Sequence, residues 1–199
     1  MNKNFYEAMK ERRSIYAIGK ESPISDERIR EIVEDIVKHV PSAFNSQTTR
    51  TVILLGDSHY KLWDITLEAL SKVVPANDFP ATETKINSFK AGYGTVLFFE
   101  EFAIVEALQK QFELYKDNFP IWAVQTSGMM QFAVWTAFST EGLGESLQHY
   151  TELIHEEVMK EFNIPNSWKM MAQMPFGNIL APAGEKTFTS IQDRVKVLK

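Results

Sequence analysis

Four short stretches of this 199-residue chain carry residue types able to do chemistry. Arg12-Arg13-Ser14 near the N-terminus and Lys186 near the C-terminus could together hold a phosphate, since Arg offers planar bidentate donors and Lys a point charge. The plain alternative is that these are surface charges. Pro41-Ser42-Ala43-Phe44-Asn45-Ser46-Gln47 is dominated by small and amide side chains. Each amide brings an acceptor and two donors, which suits a loop gripping a flat polar ring as well as it suits a solvated loop. Ser146-Leu147-Gln148-His149 follows Gly142-Leu143-Gly144, and a glycine-bounded polar segment can present backbone groups to a site.

Several better-known signals fail. Gly92-Tyr93-Gly94 starts like a dinucleotide fingerprint but precedes a strand, and Gly142-Leu143-Gly144 closes a helix. The fingerprint must instead follow a strand and open a helix, so that phosphate meets the helix N-terminus. His155-Glu156-Glu157 lacks the second His of the zinc-protease pattern, and His149 and His155 do not share a helix face. No nucleophile elbow or P-loop occurs. The chain has no cysteine, which excludes thiol catalysis, disulfides and thiolate metal sites.

The element that must position these stretches is the segment from Phe119 to Thr140, which carries no charged residue. Pro120 suits a first helical turn, and Asp117 or Asn118 can supply capping oxygens. Ile121, Trp122, Val124, Met129, Met130, Phe132, Val134, Trp135 and Phe138 spread apolar surface around the whole helix. Such a helix is either a membrane span or a buried axis. Its length fits the roughly 20 residues of a span. Gln125, Thr126, Ser127, Gln131, Thr136, Ser139 and Thr140, with no basic flank, favour the buried axis. Gly142 then stops it as a glycine C-cap, and Ser146 to His149 leaves as a short extended segment.

Around that axis, Phe5 to Arg12 reads as a short amphipathic helix, and a helix capped by Ser25 or Asp26 carries Ile29, Ile32, Val33, Ile36, Val37 and Val40. Thr51–Leu55 and Gly94–Phe99 read as buried strands, with helices expected around Tyr60–Val74, Thr84–Ala91, Glu101–Leu114 and Thr151–Phe162. Pro75–Thr82 is expected to be irregular. Trp168–Met174 is expected as a strand placing Met170 and Met174 on one face and Met171 and Gln173 on the other. Pro175–Ile179 is expected as a loop, and Arg194–Leu198 as a last strand. Helices outnumber strands without regular alternation, so the expected class is α+β in one domain, residues 1–199.

Composition is ordinary for a globular protein, with 44% hydrophobic and 24% charged residues. The net charge of -5 argues against nucleic acid or an acidic membrane as partner. The segment MNKNFYEAMKERRS has no apolar signal-peptide core, so a cytoplasmic protein is expected.

Taken in order, Arg-Arg-Ser after a short helix, P-S-x-x-N-S-Q before a strand and Gly-Leu-Gly after a long apolar helix resemble the nitroreductase family of FMN-dependent oxidoreductases. The likeness runs from Phe5 to about Val197. The wording GTVLFFE, GMMQFAVWTAF, GLGESLQHY and EKTFTSIQDRVKV is similar to a short subgroup with fungal and copper-induced lactic-acid-bacterial members. The resemblance implies an α+β sandwich whose mostly antiparallel sheet is flanked by helices, with the long central helix at a homodimer interface. Trp122, Met129 and Trp135 would then bury surface against the partner chain. It also implies FMN, with NAD(P)H as co-substrate and nitroaromatic or quinone acceptors. Arg12, Arg13, Ser14 and Lys186 would hold the phosphate end. Ser42, Asn45 and Gln47 would reach the flavin from the other subunit. Ser146, Leu147, Gln148 and His149 would lie along the ring, with backbone donors near its N5 edge. No side chain is expected to act as catalytic acid or base, and no metal is implied.

This chain departs from better-known members at Tyr16, where many carry a basic residue. It also carries Leu147 and His149 where many have a proline and an acidic residue, and Phe188 where a second basic residue would stand. Lys85 or Lys90 are both open as ring contacts, and Phe44, Phe112, Tyr115 or Phe119 as aromatic walls. Two rival readings stand beside the reductase. One is a flavin-binding regulatory or interaction protein with little turnover, and the other is a helical dimerisation module without cofactor.

Overall fold

The computed structural model describes residues 4–199. Its centre is an antiparallel sheet in the order β1 (Ile18–Gly19), β5 (Trp168–Ile179), β3 (Gly94–Glu101), β2 (Thr49–Leu55), with β4 (Leu143–Glu145) also on β5. β3 is apolar on both faces because both are covered. One face carries Leu97, Phe99 and Met170 against α3 (Asp57–Ser71), α4 (Phe79–Lys90) and α7 (Thr151–Glu161). The other carries Val96, Phe98, Ala172, Met174 and Phe176 against α2 (Asp26–His39) and α6 (Asn118–Thr140). The result is the α+β sandwich with helices on both sides of an antiparallel sheet.

Local chemistry explains most boundaries. In α1 (Phe5–Glu11), Asn4 accepts from the Glu7 amide while the Glu7 side chain accepts from the Asn4 amide, closing a capping box. Ser25 accepts from the Arg28 amide at the start of α2. Gly142, at φ 87°, takes the left-handed turn that ends α6 and hands the chain to β4.

Five expectations are corrected. Neither Asp117 nor Asn118 caps α6 through its side chain, because Asp117 already has helical angles and continues the turn Glu113–Tyr115 that follows α5 (Phe102–Gln111). α4 begins at Phe79, inside the stretch read as irregular, with Pro80 tolerated in its first turn. Pro175–Ile179 is strand, not loop: Pro175 faces Thr95 on β3, and Gly177 and Asn178 are paired by β4. Met170 and Met174 lie on opposite faces, because a bulge opposite Phe98/Phe99 inserts Met171 and switches the alternation. Arg194–Leu198 forms no strand; a short turn at Ile191–Asp193 is followed by exposed chain that pairs with no described strand.

α6 is also only half buried. Ala123, Thr126, Ser127, Met130, Val134 and Phe138 face the chain's own core, while Ile121 (55% exposed), Val124 (52%), Met129 (43%) and Phe132 (37%) form an uncovered apolar stripe. Trp122 and Trp135, expected with Met129 at the partner face, are each partly buried within the chain itself. Trp122 packs among Phe44, Phe119 and Tyr115, and Trp135 lies partly buried on the α2/α6 core. Among the described residues, no helix is long and apolar enough to cross a membrane.

Candidate functional site

The phosphate candidates converge on one cleft of about 530 Å³, lined by Arg12, Arg13, Ser14, Tyr16, Trp135 and the turn from Ala181 to Lys186. Arg12 is the residue that ends α1, so the chain turns there and drops toward β4. Its guanidinium carbon sits 4.2 Å from the centre of the Trp135 ring, a cation–π contact that fixes the plane of the fork. Its Nε is buried without a hydrogen-bond partner. Arg13 donates from Nη2 to the Gly184 carbonyl at 2.6 Å, which ties the C-terminal turn to the N-terminal segment. Lys186 reaches the same cleft, with its ammonium 5.3 Å from the centre of the Phe188 ring. Phe188 thus stands where a second basic residue was sought, and supports the first.

Burial lowers the pKa of Arg12, opposed by the carboxyl of Glu145 and reinforced by Arg13. Glu145 is the residue that sequence reasoning passed over. It is 1% exposed, ends β4 opposite Phe176, and forms a parallel bridge with Ser14. Its main-chain carbonyl accepts from the Ile15 amide at 2.9 Å. Burial pushes its carboxyl well above the usual range, and Arg12 pulls it back only in part. No local signal marked it, because Glu145 stands between Gly144 and Ser146 and its enclosure comes from β5 and the Ser14–Ile15 segment.

The Ser146–His149 segment leaves this corner along β5. The amide of Ser146 donates to the Pro175 carbonyl at 3.4 Å and that of Gln148 to the Gln173 carbonyl at 2.7 Å. In extended chain the alternate amides point the other way, so Leu147 and His149 are the ones aimed off the sheet. The Gln148 side chain donates to Ser146 Oγ at 3.0 Å, and the Gln173 side chain accepts from the Tyr150 amide at 2.9 Å. The segment is therefore held rigidly from the β5 side.

Ser42, Asn45 and Gln47 form a separate group. Phe44, Asn45 and Gln47 all have positive φ (58°, 50° and 48°), a costly run for residues other than glycine. The Ser42 hydroxyl accepts from the Gln47 amide at 2.9 Å and holds the loop closed. Phe44 is half exposed and packs on Phe112, Tyr115, Phe119 and Trp122, so the four candidate walls form one aromatic cluster. That cluster sits at the start of α6, whereas the cleft sits by Trp135. Thirteen residues of helix separate Trp122 from Trp135, about 20 Å at 1.5 Å per residue. One chain does not bring the loop and the cleft together. Of the two lysines left open, Lys90 is paired with Asp64, while Lys85 is exposed on α4.

The sequence profile of the nitroreductase family matches residues 9–178. HBN1 of Saccharomyces cerevisiae, named as a nitroreductase, is 39% identical over 180 residues, covering 89% of each chain. The nitroreductase CinD of Lactococcus lactis, solved in complex with chloramphenicol, is 46% identical and superimposes with a TM-score of 0.91 over 98% of this chain and 100% of that one. At 14% identity, a nitroreductase-family structure from Desulfovibrio desulfuricans, solved with FMN, shares the fold with a TM-score of 0.71 over 100% of this chain and 99% of that one. The chain belongs to the nitroreductase family, whose members are flavin-dependent oxidoreductases.

Proposed function

We propose that this chain, over residues 1–199, forms a cytoplasmic FMN-binding domain that works as a homodimer and passes reducing equivalents from NAD(P)H to nitroaromatic or quinone acceptors. Bound flavin would supply the hydride chemistry, taking it from the nicotinamide and giving it to an acceptor that enters the same pocket afterwards. The protein's share is binding and orientation.

The observation that carries the reading is the division of the site. The anion cleft and the Ser42–Gln47 loop lie at opposite ends of α6, and between them runs the uncovered stripe of Ile121, Val124, Met129 and Phe132. An apolar stripe of that size on an uncharged helix favours association. A second copy packed on it by a two-fold axis would bring one chain's loop toward the other's cleft.

The donor set fits the phosphate of FMN. Two guanidinium groups and an ammonium converge, and Arg12 Nε is buried without a partner, as expected of a donor awaiting an anion. Ser14 would add a hydroxyl. Ser42, Asn45 and Gln47 from the partner chain would offer amide groups to the pyrimidine edge. Ser146, Leu147, Gln148 and His149 would lie along the ring, with the Leu147 and His149 amides as donors. CinD has also been solved with 4-nitrophenol, at 47% identity to this chain, which supports a nitroaromatic acceptor. The test is anaerobic mixing of the FMN-loaded protein with NADH or NADPH. Bleaching of the flavin band, reversed by a nitroaromatic or quinone, is expected. A flavin that neither nicotinamide reduces would refute the reductase.

A further inference from the structure

Arg50 has no part in the reading above. We propose that Arg50 is a positioning residue for the loop at residues 42–47: it holds the loop in its left-handed shape before any ligand arrives, so that the loop's amide groups meet a flavin ring already aligned. The proposal rests on the FMN reading and deepens it.

The loop needs such a support. Phe44, Asn45 and Gln47 all lie in the left-handed region, and none of them is glycine. Strained backbone of that kind persists only where its surroundings over-determine it, and it gathers at functional sites. Within the loop, the Asn45 amide donates to the Ser42 carbonyl at 3.0 Å and the Ser46 amide to the Ala43 carbonyl at 3.1 Å. Phe44 is anchored by its ring, whose centroid lies 5.0 Å from that of Phe112 and 5.4 Å from that of Phe119. Gln47, at the other end, is exposed, and it is fixed through its main chain instead.

That main chain is tied from two sides. The Gln47 amide donates to Ser42 Oγ at 2.9 Å, and its carbonyl accepts from Arg50 Nη1 at 2.8 Å. The same nitrogen donates to the Thr49 carbonyl at 2.9 Å, so one guanidinium group spans the junction of loop and strand. Arg50 is itself held. It stands second in β2, opposite Phe99, with its guanidinium carbon 5.9 Å from the centre of the Trp168 ring. Trp168 in turn packs on Phe99, with 5.8 Å between centroids. The residues between are pinned as well: the Glu101 amide donates to the Thr48 carbonyl at 2.8 Å, and the Thr49 hydroxyl to Glu100 at 2.7 Å. The order of the sheet thus reaches Gln47 through Arg50.

A loop ordered in advance binds without the cost of being ordered by its ligand. Without Arg50 the left-handed Gln47 relaxes, and a flavin has to restore the loop as it binds. The loss falls on recognition of the ring. The phosphate donors Arg12, Arg13 and Lys186 belong to a separate cleft and keep their geometry.

The test uses the full-length protein stripped of flavin. Hydrogen exchange across residues 42–48 should be slow in the wild type before any flavin is added. It should be faster in Arg50→Met, which keeps an apolar stem and removes the donors. FMN and riboflavin are then titrated separately by flavin fluorescence. Riboflavin carries the same ring without the phosphate, so Arg50→Met should weaken both on the order of tenfold and leave their ratio unchanged. The midpoint potential of bound FMN should fall in Arg50→Met, because aligned donors at the pyrimidine edge favour the reduced, more anionic ring. Arg50→Lys, whose ammonium can still bond one carbonyl, should recover part of the affinity and part of the potential. Unchanged affinities, a loss confined to FMN, or weaker binding at an unchanged potential would each overturn the role of Arg50. Rapid loop exchange in the flavin-free wild type would overturn it without any variant, and so decides the matter if Arg50→Met does not fold. Failure of the wild type to bind either flavin would overturn the cofactor reading, whereas the exchange measurement reports on the loop by itself.

Discussion

Mild acid should loosen this fold through His59, a residue remote from the proposed chemistry. His59 is fully buried on α3, with Nε2 3.1 Å from the Lys90 carbonyl and Nδ1 2.8 Å from the Thr95 hydroxyl. A carbonyl only accepts, so Nε2 carries the proton. Nδ1 accepts from Thr95, whose oxygen in turn accepts from Trp63 Nε1 at 3.0 Å. Burial, partly opposed by hydrogen bonds to the backbone at Lys90 and Gly92, lowers the pKa of His59 from 6.5 to about 4. The unfolded chain thus binds a proton that the folded chain refuses, and stability falls as pH drops from 6.5 toward 4. At 1.36 kcal/mol per pKa unit the full effect is about 3 kcal/mol, with about 2 kcal/mol already lost between pH 7 and pH 5. Urea unfolding at one protein concentration, at those two pH values, measures it against His59→Gln. The variant will be less stable at pH 7, having lost two hydrogen bonds, but its own decline should be shallower by about 2 kcal/mol. Parallel declines would refute the buried neutral histidine.

Three further outcomes are expected. A Cβ at Gly177 would lie 2.0 Å from the Gly19 carbonyl oxygen, a backbone atom with no room to retreat. Gly177→Ala should therefore cost about 3 kcal/mol and lower Tm by at least about 6 °C in a thermal melt, and an unchanged Tm would contradict the register of β1 on β5. Phe132→Asp, which puts a charge on the uncovered stripe of α6, should shift the mass measured by light scattering toward that of one chain; an unchanged dimer would move the interface elsewhere. Arg12→Ala should weaken FMN retention about tenfold or more while leaving riboflavin binding much less affected, and full FMN occupancy on purification would count against the phosphate role.

The elements most legible in the sequence were those whose cause is local. Ser25 before an amphipathic repeat, Gly142 after an uncharged helix, and the unbroken apolar run of β3 each name their structure within a few residues. The strand through Pro175 and Gly177 was not legible, because those residues read as breakers until β3 and β4 are seen to pair with them. The bulge at Met171 has the same cause, since only a partner strand creates a mismatch in count. Val195 and Val197 alternate like a strand, yet alternation does not supply an edge to pair with. At the site, the cations of Arg12, Arg13 and Lys186 could be named from residue type, and the fold collects them in one cleft. Glu145 could not be placed, because nothing local says that a glutamate beside two small residues will be fully enclosed. The exposed half of α6 was hidden for a related reason: apolar residues all round a helix do not reveal which of them the chain's own core will cover.

The most direct test of the oxidoreductase reading is the visible absorption spectrum of the purified protein, with mass identification of any yellow compound released on denaturation. Flavin bands with FMN near one per chain are the expected result. A colourless protein that takes up no added FMN would contradict it, and would return Arg12, Arg13, Ser14 and Lys186 to the status of surface charges.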